Sequence, residues 1–196
     1  TATLAPSELG GAKALPGDAG LAEEAALRYG TRLHLLLEHL PDAPREGRAA
    51  LAQAILATGP EPAPEGEIAA LLAEAEGVLD APALAPLFGA EALAEVPVSA
   101  DLPELGGRRV HGTIDRLIVG PERILAVDFK TNRTVPPTAD EVPEGLLRQM
   151  GAYAAALARL WPERRVETAL VWTRDAALMT LPQPLVRAAL SRAAPP

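Results

Sequence analysis

The chain has 196 residues, 48% of them hydrophobic and 22% charged, with 26 acidic against 18 basic side chains and a formal net charge of −8. That composition belongs to ordinary folded proteins, and the length suits one domain with a sizeable core. The chain lacks cysteine, which excludes a disulfide framework, thiol catalysis, thiolate zinc and a cysteine-ligated iron–sulfur cluster. It also lacks any run of about 18 uncharged apolar residues that would span a membrane.

Residues 1–18 are rich in Gly and Pro and lack periodicity, so they read as an arm or linker. With no signal-peptide pattern behind Thr1, the chain is expected to be part of something longer. Residues 19–40 have helical spacing, with Leu27, Leu33, Leu36, Leu37 and Leu40 apolar between Glu23, Glu24, Arg28 and Arg32. Pro41 and Pro44 end that helix. Two Ala/Leu-rich acidic helices follow, over 46–58 and 65–79, parted by a Pro-rich turn, and a short apolar turn over 84–88 closes this α-rich half. Residues 41–90 thus form a helical insertion without a recognisable motif. Strands are expected over 93–99, 109–119 and 124–130, the last two joined by a tight turn at Gly120-Pro121. A polar loop covers 131–142. A helix over 144–160, strands over 166–173 and 177–181, and a helix over 184–192 complete the chain.

The net charge argues against a nucleic-acid partner until it is divided. Residues 1–100 carry 15 acids and 5 bases, whereas residues 101–196 carry 11 acids and 13 bases, so the acidity belongs to the helical half. A polyanion would be handled mainly by the second half. The basic residues are also biased: 16 are Arg and two are Lys, Lys13 and Lys130. A lysine in such a chain marks a place where a compact ammonium is needed, or else chance.

Asp128 and Lys130 share one face of their strand, opposite Leu125, Val127 and Phe129. A connection of two or four residues back to the preceding strand sets Asp128 opposite Thr113 or opposite Asp115. Either register brings two carboxylates together, and they repel unless something positive lies between them. A divalent cation with hard oxygen ligands, Mg²⁺ or Mn²⁺, meets that need, with Lys130 as an adjacent fixed charge. The plainer alternative is an Asp–Lys ion pair on a solvated sheet face.

The run Gly112-Thr113-Ile114-Asp115-Arg116-Leu117, followed by Asp128-Phe129-Lys130-Thr131-Asn132-Arg133, resembles the nuclease domain of AddA-like and RecB-like helicase-nucleases, members of the PD-(D/E)xK superfamily. Gly30-Thr31-Arg32-Leu33-His34 with Glu38 resembles the family's helix bearing a metal-ligand histidine. Glu95-Val96-Pro97-Val98 resembles its first core strand, and Gln149 with Tyr153 its Q-x-x-x-Y motif. Ile114 stands where the family often has Pro. The absence of cysteine separates the chain from the iron–sulfur branch that includes AddB-like subunits.

The resemblance implies an α/β fold with a central mixed sheet flanked by helices, and a single nuclease domain over 19–196 whose core lies at 91–181. It implies His34, Asp115, Asp128 and the Phe129 carbonyl as metal ligands. Lys130 would act with Asp115 and Asp128 in catalysis, while Gln149, Tyr153, Glu38 and Glu95 would support the site or the DNA. The implied activity is Mg²⁺-dependent hydrolysis of DNA, mainly of single strands delivered by preceding helicase domains, with an AddB-like partner subunit in a bacterial cytoplasm. The rival expectation is a catalytically silent domain of the same fold that grips DNA or docks a subunit. Taken alone, each of these residues also has an ordinary structural use: His34 as a core or surface histidine, Glu38 and Glu95 as surface acids, Gln149 and Tyr153 as a half-buried polar pair.

Overall fold

A computed structural model describes residues 3–15, 23–58 and 61–193. Prolines punctuate the chain and largely set the element limits. After the arm come α1 (Glu23–His39), α2 (Arg48–Leu56) and α3 (Glu65–Leu79), and then a 3-10 turn, Pro82–Phe88. Strands β1 (Ala92–Leu102), β2 (Arg108–Val119) and β3 (Arg123–Lys130) precede α4 (Glu144–Leu160), and β4 (Arg165–Trp172), β5 (Ala177–Leu181) and α5 (Gln183–Ser191) end the chain. The part of the first expected helix over 19–22 lies outside the described residues. Among the described residues, no helix is long and apolar enough to cross a membrane.

The five strands form one mixed sheet in chain order, with β3 and β4 parallel and the other neighbours antiparallel. The parallel pair needs a crossover, and α4 provides it. Period-two alternation sends Ile124, Ala126, Leu170 and Trp172 into a core shared with α4 and α5. It sends Val127, Phe129, Ala169 and Val171 into a second core beneath α1, α2 and α3. The architecture is therefore α/β in three layers, with α1, α2 and α3 covering one face of the sheet.

The β2–β3 connection has four residues, since Val119 pairs with Ile124, and the ladder runs only as far as Arg116 and Val127. Beyond that pair the strands fork. The arm, instead of hanging free, occupies the space beside β2: Leu4 bridges Val110, and Pro6 and Leu9 are buried. Gly145 at the start of α4 donates its N–H to the Ala12 carbonyl at 2.7 Å. A Cβ on Gly145 would lie 2.8 Å from the Gly11 and Ala12 carbonyl oxygens, so only glycine permits this approach.

A candidate metal centre at the fork of the sheet

The face alternation of β2 slips at one level. Ile114 and Leu117 both enter the α4-side core although an odd separation in a regular strand puts residues on opposite faces. On β1 the same level is Glu95, between the pairs Ala94–Arg116 and Val96–Ile114, and its φ is 49°, in the left-handed region. A glutamate there costs on the order of 1–2 kcal/mol. The slip frees the Asp115 carboxylate to accept the Phe129 N–H at 2.6 Å, which closes the fork by a side chain where a ladder bond would have continued.

α1 supplies His34 from the other layer. One ring nitrogen, Nδ1, lies 3.5 Å from Asp115 Oδ1, and Nε2 lies 3.0 Å from the Phe129 carbonyl oxygen. Donor atoms of His34, Glu95 and Asp115 all fall within 4.8 Å of one another. Asp128, expected beside them as a ligand, faces the α4 side. Its Oδ1 accepts from Gln149 Nε2 at 3.0 Å, and its Oδ2 lies 2.5 Å from Lys130 Nζ as an ion pair without hydrogen-bond alignment, leaving that buried oxygen otherwise unpartnered. Lys130 also donates to Gln149 Oε1 at 3.0 Å. The chain of contacts ends at Tyr153, whose hydroxyl donates to the Thr113 carbonyl at 2.7 Å. Glu38 lines the same cleft as His34 and Glu95.

The electrostatics describe a site short of positive charge. Burial, then the neighbouring Asp115, push the Asp128 carboxyl above the usual carboxylate range, with Lys130 opposing them. Burial, Asp115 and Glu38 raise Glu95 in the same direction. For His34 burial disfavours the cation, but Asp115 and Asp128 outweigh it and push its pKa up to about 9. Without a metal the imidazole is thus protonated at neutral pH, and a cation that takes a ring nitrogen displaces that proton. One imidazole and the carboxylate oxygens of Glu95 and Asp115 make a donor set that fits a hard divalent cation such as Mg²⁺ or Mn²⁺, with Asp128 next to them in its ion pair with Lys130.

The sequence profile of the PD-(D/E)XK nuclease superfamily matches residues 9–191. The chain belongs to that superfamily. No curated protein matches it. Membership in the PD-(D/E)XK superfamily implies a DNA substrate.

Three residues of this superfamily member escape a reading by motif. Arg116, 5% exposed, donates to the Leu37 carbonyl at 2.6 Å, and its guanidinium lies 4.9 Å above the Phe88 ring. It ties the last turn of α1 to the strand residue next to Asp115, where a cation also suits the helix terminus. Phe88 stacks on Phe129 at 6.1 Å, and His34 meets Phe129 edge-on at 6.0 Å. The chain has two phenylalanines, and both stand behind the candidate ligands. Glu74 of α3 accepts from the Tyr29 hydroxyl at 2.6 Å and from Thr173 at 2.5 Å, and Thr173 reaches the Lys130 carbonyl at 3.1 Å. α3 thereby braces α1 and the end of β3. The one sequence signal for this was the pair of phenylalanines, because an acid on a helix otherwise reads as a solvated surface.

Proposed function

We propose that this domain hydrolyses phosphodiester bonds of single-stranded DNA in a Mg²⁺-dependent reaction, as the nuclease part of an AddA-like or RecB-like helicase-nuclease that processes double-strand ends in the bacterial cytoplasm. The observation that carries the reading is the meeting of His34, Glu95, Asp115 and the Asp128–Lys130 pair at one fork of the sheet. A divalent cation held there supplies Lewis acidity toward a phosphate oxygen and lowers the pKa of a bound water.

The remaining work falls to side chains of this chain. His34, Asp115 and the Phe129 carbonyl, with Glu95 and Asp128, hold the cation. Gln149 grips both Asp128 and Lys130, so the ammonium is fixed before any substrate arrives. From there Lys130 orients the attacking water or stabilises negative charge growing on the phosphoryl oxygens. Tyr153, anchored to β2, sets the position of Gln149. The −10 of residues 1–100 suits delivery of the strand by neighbouring helicase domains and an AddB-like subunit, since phosphate affinity rests on basic contacts.

The test compares degradation of end-labelled linear single strands, linear duplex and circular single strands by wild type, Asp128→Ala and Lys130→Ala with Mg²⁺. Loss of Mg²⁺-dependent cleavage in both variants is expected, with linear single strands the best substrate for wild type. Equal cleavage by all three proteins contradicts the site assignment, and duplex cut as fast as linear single strands contradicts the single-strand reading.

A further inference from the structure

The candidate site opens into a cleft of about 430 Å³, and one wall of it is a single face of α1. Successive turns present Leu27, then Gly30 and Thr31, then His34 and Leu35, then Glu38. The polarity changes along that face, from apolar at the N-terminal end to ligand and acid at the C-terminal end. Leu27 is 66% exposed and Leu35 37%, whereas Leu33, Leu36 and Leu37 of the same helix are fully buried. The two arginines of this stretch are engaged with acids, Arg28 with Glu24 at 2.8 Å and Arg32 with Glu67 at 2.7 Å. The wall is therefore suited to an apolar group and unsuited to a run of phosphates.

Gly30 is the second observation. Glycine inside a helix costs roughly 0.5–1 kcal/mol relative to alanine. Packing does not demand it, because a Cβ on Gly30 would find Thr131 Oγ1 at 3.4 Å, an ordinary contact. The weak residue lines the cleft one turn before His34, with Thr131 of the facing wall beside it. Glycine adds no side chain to the cleft wall at that turn.

We propose that Leu27, Gly30 and Leu35 form a subsite for the base and sugar of the nucleotide adjoining the scissile phosphate, and that this subsite selects unpaired over paired DNA. The inference rests on the nuclease reading and extends it to substrate choice. Leu27 lies seven residues from His34, about 10 Å along the helix axis, which is within reach of a nucleotide whose phosphate is held at the fork. A base packs its face on leucine only when it has left the stack of a duplex. A duplex also brings a negative charge every ~1.7 Å of its axis toward a wall that ends in Glu38.

The experiment measures Mg²⁺-dependent cleavage of a single strand and of the same strand with abasic residues beside the labelled scissile position. For wild type, KM should rise about fivefold or more on the abasic strand with kcat little changed. The double variant Leu27→Ala, Leu35→Ala should show the raised KM on the intact strand and no further rise on the abasic one. Gly30→Ala should melt at a higher temperature than wild type, bind Mn²⁺ equally well, and still show a raised KM for single strands. Equal KM for the two strands in wild type overturns the subsite, as does a Leu27→Ala, Leu35→Ala protein that keeps full sensitivity to abasic residues. If wild type cuts no strand, the nuclease reading falls. The subsite is then decided by fluorescence anisotropy of the same oligonucleotides in Ca²⁺: weaker binding of the abasic strand supports it, and equal binding overturns it.

Discussion

On the α4 side of the fork, Lys130, Gln149 and Tyr153 form one closed line of contacts from Asp128 to the Thr113 carbonyl. On the α1 side, His34, Glu95 and Asp115 converge on an open cleft, and burial and like charge raise Glu95. The first side is arranged without a ligand; on the second, Asp115 and Asp128 raise the pKa of His34, so that a proton on the ring offsets part of the crowded negative charge. The difference separates two tasks. The α4 side fixes the ammonium and one carboxylate in place, and the α1 side is strained toward taking up a cation.

That division makes the largest expected effect Lys130→Ala. Cleavage should fall by at least about a hundredfold, the scale of a lost charge-stabilising or proton-handling group. Stabilisation of the protein by Mn²⁺ in thermal melts should survive, because the lysine sits on the preorganised side. Loss of the Mn²⁺ response in this variant would break the division.

Glu95→Gly probes the other side. Glycine accepts φ 49° without penalty, so the variant should be at least as stable as wild type, by up to about 1–2 kcal/mol. Its affinity for Mn²⁺ should nevertheless drop by about tenfold or more, read by calorimetric titration. A variant that is less stable yet binds metal normally would make Glu95 a structural residue.

Glu74→Ala removes one acceptor from both Tyr29 and the buried Thr173. Unfolding in urea should show a loss of about 1–3 kcal/mol. Cleavage should fall together with it, because α1 and the end of β3 lose a shared brace; Glu74→Gln should recover part of both.

The smallest effect lies far from the fork, where Arg192 of the C-terminal cap pairs with Glu144 at the start of α4. Hydrogen bonding to Arg192 holds the Glu144 carboxyl below the usual carboxylate range. A carboxyl whose folded pKa is lowered stabilises the fold above its unfolded pKa and loses that contribution as pH falls through the folded value. The melting difference between wild type and Arg192→Ala should therefore be small near pH 7 and vanish in acid, with Mg²⁺-dependent cleavage unchanged at pH 7.

Much of this molecule was legible in its sequence, and the remainder shares a physical cause. The limits of α3 and α4 follow from Pro64 and Pro143 just before them, and the faces of β3 follow from strict alternation over 124–130. The motif residues His34, Asp115, Asp128, Lys130, Gln149 and Tyr153 do meet. Register was open between connections of two and four residues, because turn length is decided jointly with pairing partners distant in the chain. Two details were illegible for the same non-local reason: the left-handed backbone of Glu95 and the clamp of Glu74. Nothing in a glutamate's neighbours announces a positive φ, and no helical spacing tells a bracing acid from a solvated one. The arm read as a linker from its glycines, yet those glycines serve close packing against α4.

The most direct measurement is an anomalous difference map from a crystal of the whole chain soaked in Mn²⁺. The account predicts a peak at the fork, within ligand distance of His34, Asp115 and Glu95 and beside Asp128. A protein that degrades DNA with Mn²⁺ but shows no peak there, or shows one elsewhere, would contradict it.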